Sequence, residues 1–487
     1  MTSRRLLLAA AAALLALTGC RKSETGPIEV SAIGAPPRLA DPNRRPLDAA
    51  AAFLLQSTAQ GLVRFDAGGD IEPGLAQSWI ISNDGLRYTF RLARAQWRDG
   101  SRVTAEQVVA RLKAAAGPAS RNPLKPILGA IDEIETMTDE VLEISLKSPR
   151  PNFLQLLAQP EMAIVRAGEG IGPFLARPRP DGTLLLTPPP LSEEEQEDGA
   201  ARPPTPLVLR GETAGMAVAR FDLGTAELVV GGTAGDLPVA RAAEPRAASL
   251  VFDPAAGLFG LAFAAGGDGP LSHAEARQAL SMAIDRGTLV AALGVPGLQP
   301  RESLLPAGIE GLATPAAPAW TASPLPARRA AAAEALRPLL KGIRLHVRVS
   351  LPEGPGYRLV FAYLRRDWAT IGVEAERVGP GAPADLALLD EVAPVALASW
   401  YLRHFTCPAG AVCDPAADTA MDAARLAPNQ EVRRGFLTTA DRLLAGAAPF
   451  IPIAAPVRWS LVSPRLSGFR PNAFARHPAG ELIRATP

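Results

Sequence analysis

Cysteine is scarce in this chain, with three among 487 residues, and only four histidines occur, His273, His346, His404 and His477. Their scatter leaves no set with the spacing of a closed zinc site. Charge of one sign is not in excess either. Fifty Lys and Arg oppose forty-nine Asp and Glu, for a formal net charge of +1, and the basic residues are spread along the chain. The basic face that nucleic acid demands is therefore missing, and nucleic acid is not expected as a partner. Long apolar runs are also lacking. The one conspicuous run, Leu6 to Leu17, is made only of Leu and Ala and falls short of the roughly 20 residues that span a bilayer. Among catalytic signatures there is no His-Glu-x-x-His helix, no Gly-x-Ser-x-Gly elbow and no Walker-type Gly-Lys-Ser/Thr loop. "GEGIG" at 168–172 lacks the full dinucleotide fingerprint. No catalytic residue, metal ligand or cofactor is assigned.

What stands at the start is informative. Arg4-Arg5, the short apolar run and small residues after it have the form of a secretory signal, which belongs to targeting and not to the fold. Leu17-Thr18-Gly19-Cys20 resembles the lipobox of bacterial lipoproteins, in which the cysteine is acylated and becomes the first mature residue. The resemblance implies cleavage after residue 19, a lipid on Cys20 and attachment to a membrane at the cell envelope. Cys407 and Cys413 then remain, in "FTCPAGAVCD". An exported chain meets oxidising conditions, so this pair reads as a short disulfide loop, with two free thiols or half a metal site as alternatives.

The mature chain is long enough for two or three domains at roughly 100–200 residues each. Leu86, Tyr88, Phe90 and Leu92 alternate with Arg87, Thr89 and Arg91, the period of a strand with one buried face, after an Asn83-Asp84-Gly85 turn. Asp99-Gly100 marks a second turn, and Thr104 with Gln107 forms a capping box that predicts a helix carrying Val108, Val109 and Leu112 inward. Strands are expected in "VLEISLKS" (141–148), "GTLLLTP" (182–188) and "IRLHVRVSL" (343–351), the last with Ile343, Leu345, Val347 and Val349 on one face. Ser272 and Glu275 predict a second capping box opening one helix, "HAEARQALSMAIDRGTLVAAL", and "RLVFAYLRRDWATIG" followed by "VEAERV" reads as helix then strand. Helices and strands mixed throughout make an α/β or α+β protein. The acidic, proline-flanked stretch at 188–206 reads as a solvated loop.

"GLVRFDAGGDIEPGLAQSWIISNDGLRYTFRLARAQWRDGSRVTAEQVV" (61–109) resembles, in order and spacing, the signature region of the family 5 extracellular solute-binding proteins. "GIGPF" (170–174), "ARQALSMAIDR" (276–286), "DRLLAGAAPFIPI" (441–453) and "LSGFRPN" (466–472) are similar to later motifs of that family, in the same order. These are the dipeptide-, oligopeptide- and nickel-binding receptors of ABC importers. The resemblance implies an α/β, two-lobed, periplasmic-binding-protein type II-like fold with an extra domain inserted in the first lobe. It also implies a small solute or peptide-like ligand between the lobes, an ABC permease as partner, a monomer, and no enzymatic activity. After the signal at 1–20, lobe I is expected from 21–45, 160–258 and 465–487. The insert is expected at 46–159, with Trp79 and Trp97 in its core, and lobe II at 259–464.

Peptide receptors of the family commonly carry a carboxylate for the ligand's α-amino group shortly before the position of "FTC". Here Val392 to Cys407 holds no carboxylate. Asp390 and Glu391 lie earlier and are candidate substitutes, Arg403 and His404 bring positive or titratable charge, and Trp400 and Tyr401 are candidate stacking groups. The ligand expected is therefore not an ordinary peptide held by its amino terminus but an anionic or acceptor-rich solute. The alternatives are a degenerate receptor acting as an envelope scaffold or sensor, and a hydrolase whose site assembles only in space.

Overall fold

The computed structural model describes residues 26–190, 203–243, 249–264, 269–312, 314–410 and 412–483. The signal segment and Cys20 lie outside the described residues, as does most of the acidic loop. Ile28–Ile33 is buried along nearly its whole length, as suits a central strand covered on both faces. It pairs in parallel with Leu207–Glu212 on one side and Leu228–Thr233 on the other. The complete sheet has seven strands, ordered Leu175–Pro178, Leu184–Thr187, Leu207–Glu212, Ile28–Ile33, Leu228–Thr233, Arg458–Val462 and Leu250–Phe252. Helix Ala49–Thr58, capped by the Asp48 side chain on the Ala51 N–H, packs on this sheet and shares a core with Ile28, Val30, Phe174 and Leu228.

A second sheet of five strands is ordered Glu374–Val378, His346–Ser350, Leu386–Val392, Gly257–Phe263 and Phe450–Ala454. Its core gathers Val347, Val349, Leu364, Trp368 and Ile451. The chain passes between the sheets through two short crossings, 253–256 and 455–457. Gly257 sits at the first with φ +157°, and a Cβ there would lie 2.0 Å from the Glu391 carbonyl oxygen, so only glycine fits. Arg458–Val462, expected within lobe II by the 464/465 boundary, pairs into the seven-stranded sheet.

The inserted region is a four-stranded antiparallel sheet, Ala76–Ile81, Arg87–Leu92, Val141–Leu146 and Ile131–Thr138. The Thr104 capping box forms with both reciprocal bonds and opens helix Ala105–Ala116, which buries Val108, Val109 and Leu112. Trp97 is buried and donates to Gln107 Oε1 at 2.8 Å, while Trp79 is only partly buried.

Three further expectations are corrected. Ser272 lies in a 3-10 turn and donates to the Gly269 carbonyl, so it does not cap, and helix Ala274–Ala283 starts from His273 without a side-chain cap. The long helix also divides. Ile284 turns extended, and Asp285 caps a separate helix, Arg286–Leu293, while its own N–H is taken by Asp367 Oδ2 at 2.9 Å. The strand expected from Ile343 begins only at His346, and Ile343 is 75% exposed beyond a tight turn at Lys341-Gly342.

Candidate functional site

A cavity of about 820 Å³ lies where the two sheets and the insert meet. One wall comes from helix Ala49–Thr58 and from the strand ends at Gly231–Thr233 and Arg458–Ser460 of the seven-stranded sheet. Across from it stand Glu391 to Pro394, at the end of a strand of the five-stranded sheet, and Trp400, Arg403 and His404 of helix Ala398–Arg403 and its cap. A third part comes from Gln159 and Glu161, beyond the insert, with Arg476 and His477 from the chain's last stretch. Pinning across the walls is by short bonds: Gln159 Nε2 donates to the Pro394 carbonyl at 2.5 Å and Asn152 Nδ2 to Ala396 at 2.9 Å. This size suits a small solute, and clefts between packed units are where such sites usually lie.

The six sequence candidates divide. Glu391, Trp400, Arg403 and His404 line the cavity. Asp390 does not, because its carboxylate is already engaged. Arg458 donates to Oδ1 at 2.6 Å and to the Asp390 carbonyl at 2.8 Å, and the Tyr357 hydroxyl donates to Oδ2 at 2.7 Å. Burial, and after it the Asp390 charge, raise the Tyr357 pKa, so the phenol remains a donor. Tyr401 is 1% exposed and serves the core, edge-on to Trp400 with ring centroids 4.8 Å apart.

His404 also sits between acceptors. Its Nδ1 faces the Trp400 carbonyl at 2.9 Å and its Nε2 faces Glu391 Oε2 at 3.1 Å, so a protonated ring donates to both. The hydrogen bond from His404 holds the Glu391 carboxyl below the usual carboxylate range, against the opposing effect of burial. Arg403 has no close partner: among the described residues no hydrogen bond or ion pair engages its guanidinium. Burial first, then Arg425 and Arg433, lower its pKa to about 10, which leaves it a cation at neutral pH.

Residue-type reasoning missed the opposite side. Glu161 takes Arg476 on Oε1 at 3.0 Å, and His477 Nε2 lies 3.3 Å from Asp253 Oδ2. Both residues come from segments far from the "FTC" loop, so proximity in sequence carried no signal. The nearest hint was "LSGFRPN", which ends a few residues before Arg476. Cys407 and Cys413 are joined in a disulfide with Cα atoms 5.1 Å apart, and the Cys407 N–H donates to Asp418 Oδ2 at 3.0 Å. Among the described residues, no group of three or more His, Cys, Asp or Glu is arranged to hold a metal ion, and no helix is long and apolar enough to cross a membrane.

Comparison with known proteins places these features. Residues 70–208 match the family described as bacterial extracellular solute-binding proteins, family 5 Middle. The probable deoxycholate-binding periplasmic protein YgiS of Escherichia coli K12 is 31% identical over 144 residues, 26% of this chain and 27% of that protein. The glutathione-binding protein GsiB of Pectobacterium atrosepticum is 33% identical over 119 residues, 24% of this chain and 23% of that protein. The chain thus matches about a quarter of the length of these curated relatives. These relatives are binding proteins, not enzymes. The solved murein tripeptide binding protein MppA of E. coli has a TM-score of 0.80 at 20% identity, covering 93% of this chain and 98% of that one. Against the unliganded open form of MppA, also 20% identical, the TM-score is 0.65.

Proposed function

We propose that the chain is a family 5 extracellular solute-binding protein, the family its residues 70–208 match, and that it is the lipid-anchored receptor of an ABC importer, holding an anionic solute between its lobes. The observation that carries the ligand class is Arg403, a cation on the cavity wall without a carboxylate in hydrogen-bond reach. Of the two carboxylates that could have replaced the family's amino-binding group, Asp390 is spent on Arg458 and Tyr357, and Glu391, on the cavity wall, is engaged by His404. Deoxycholate, glutathione and murein tripeptide in the relatives' names indicate that solute class varies among such proteins, so the chemistry of this cavity decides it.

The two crossings at 253–256 and 455–457 serve as the hinge, and closure brings Arg403 over the wall formed by the first sheet. The seven-stranded unit is lobe I, the five-stranded unit lobe II, and the four-stranded sheet the insert. Cys20 carries the lipid that keeps the receptor at the envelope, beside its permease, as a monomer and without turnover of the solute. Cys20→Ser should release the protein from membranes after a salt wash, and full retention would refute the anchor.

Calorimetric titration tests the ligand class, using small carboxylates beside dipeptides and tripeptides with free or acetylated amino groups. Carboxylates should bind, and Arg403→Met should weaken them about tenfold to a hundredfold, the loss of a charge-assisted bond worth about 1.5–3 kcal/mol. Tight binding of free peptides that acetylation and Glu391→Ala both abolish would overturn the reading in favour of ordinary peptide chemistry.

A further inference from the structure

The walls of the cavity differ in chemistry. Glu391, Trp400, Arg403 and His404 stand on the side of the five-stranded sheet. Across from them, the lining drawn from 46–53 and 123–127 is apolar throughout, with Asp48 the one exception. Asp48 is spent on the fold: its Oδ1 accepts the Ala51 N–H at 2.7 Å, and its charge lies at the positive end of helix Ala49–Thr58. The two stretches form one surface, because they are fastened together just ahead of both. The Arg121 N–H donates to the Asn43 carbonyl at 2.7 Å, Asn122 Nδ2 to Asn43 Oδ1 at 2.9 Å, and Arg111 Nη2 to Asp41 Oδ1 at 2.8 Å. The strip is also accessible. Pro46, Pro123 and Pro126 are exposed and Leu47 and Ala49 half-buried, while Phe53, which also lines the cavity, belongs to the core beneath the helix.

Apolar surface left wet in a concave site is what a hydrocarbon group covers favourably, at a gain roughly proportional to the area removed from water. We propose that the strip of Leu47, Ala49, Pro123 and Pro126 is a subsite for the hydrocarbon body of the solute whose acid group Arg403 binds, so that the ligand is an amphipathic acid. A volume of about 820 Å³ leaves room beside Arg403 for far more than an acid group. Trp400, three residues before Arg403 on the same short helix, continues the apolar surface next to the cation. A solute of this kind touches both walls, its acid on one and its chain on the other, which a short acid cannot do. The inference rests on the anionic-solute reading above, and it adds what distinguishes one acid from another.

The test is calorimetric titration of the full mature chain with butanoate, hexanoate and octanoate, with gluconate as a six-carbon acid clothed in hydroxyls, and with 1-octanol as a chain without the acid. Affinity should rise about tenfold for each two methylenes added, and gluconate should bind at least about tenfold more weakly than hexanoate. Leu47→Gln and Pro126→Gln should each flatten the rise with chain length, costing octanoate about tenfold and butanoate less than about twofold. Arg403→Met should weaken all three fatty acids alike. Affinity that stays flat along the series, or gluconate as tight as hexanoate, would overturn the apolar subsite while sparing the anionic-solute reading. Equal losses for butanoate and octanoate in both glutamine variants would assign the strip to the fold alone. If 1-octanol binds as tightly as octanoate, or if no acid binds, the anionic-solute reading falls and this inference with it. Should Leu47→Gln fail to fold, Pro126→Gln, on the exposed part of the strip, carries the same comparison.

Discussion

Asp390 and Arg403 stand on the same lobe close to the same cavity, and the fold uses their charges in opposite ways. Asp390, its side chain 8% exposed, is clasped by an arginine and a tyrosine and ties the five-stranded sheet to the strand that begins at Arg458. Arg403 is left without a carboxylate partner and bears on open volume. A saturated charge maintains architecture; an unsaturated one is available to something from outside. Residue type alone makes both look like ligand groups, and the difference is set by Arg458 and Tyr357, which arrive from elsewhere in the chain.

The contrast can be broken most sharply at Asp390. Asp390→Ala leaves Arg458 enclosed without its partner and should destabilise by about 3 kcal/mol, read from denaturant midpoints, since removing one member of a buried pair exposes the cost of the other. A loss of solute binding with unchanged stability would reverse its assignment. Next is Asp441, a buried carboxylate lacking such a partner: Ala316 N–H donates to Oδ2 at 2.7 Å, Oδ1 has none, and burial pushes its pKa up to about 6. With the folded value above the unfolded one, its contribution is favourable below about pH 4 and lost as pH rises through about 6. Asp441→Asn should therefore gain about 2 kcal/mol at pH 7.5 and little at pH 4; a gain independent of pH would contradict the assignment. The smallest effect is expected at Arg403, where Arg403→Met should shift the unfolding midpoint by less than about 1 kcal/mol while acid binding is lost. A larger loss of stability would mean that its charge is structural after all.

Local patterns made much of the frame legible. Alternation from Arg87 to Leu92 and the Thr104 capping box depend on neighbours in sequence, and both formed as read. The break before Asp285 was hidden because the acceptor that holds its N–H, Asp367, is brought there by a different helix. The cavity was half legible for the same reason. Trp400, Arg403 and His404 share one short helix and its cap, whereas Glu161 and His477 meet them only after both sheets have formed.

The seven-stranded sheet has a kinetic consequence. Ile28–Ile33 waits for Leu207–Glu212, and Leu228–Thr233 waits for Arg458–Val462, so the earliest strand and the latest belong to one structure. Pairings so distant in sequence must pay loop-closure entropy before they are rewarded, and they form late. A partly synthesised chain has no complete first lobe to collapse into. In the exported receptor proposed above, that delay would keep the chain threadable until its last strand has been delivered to the far side.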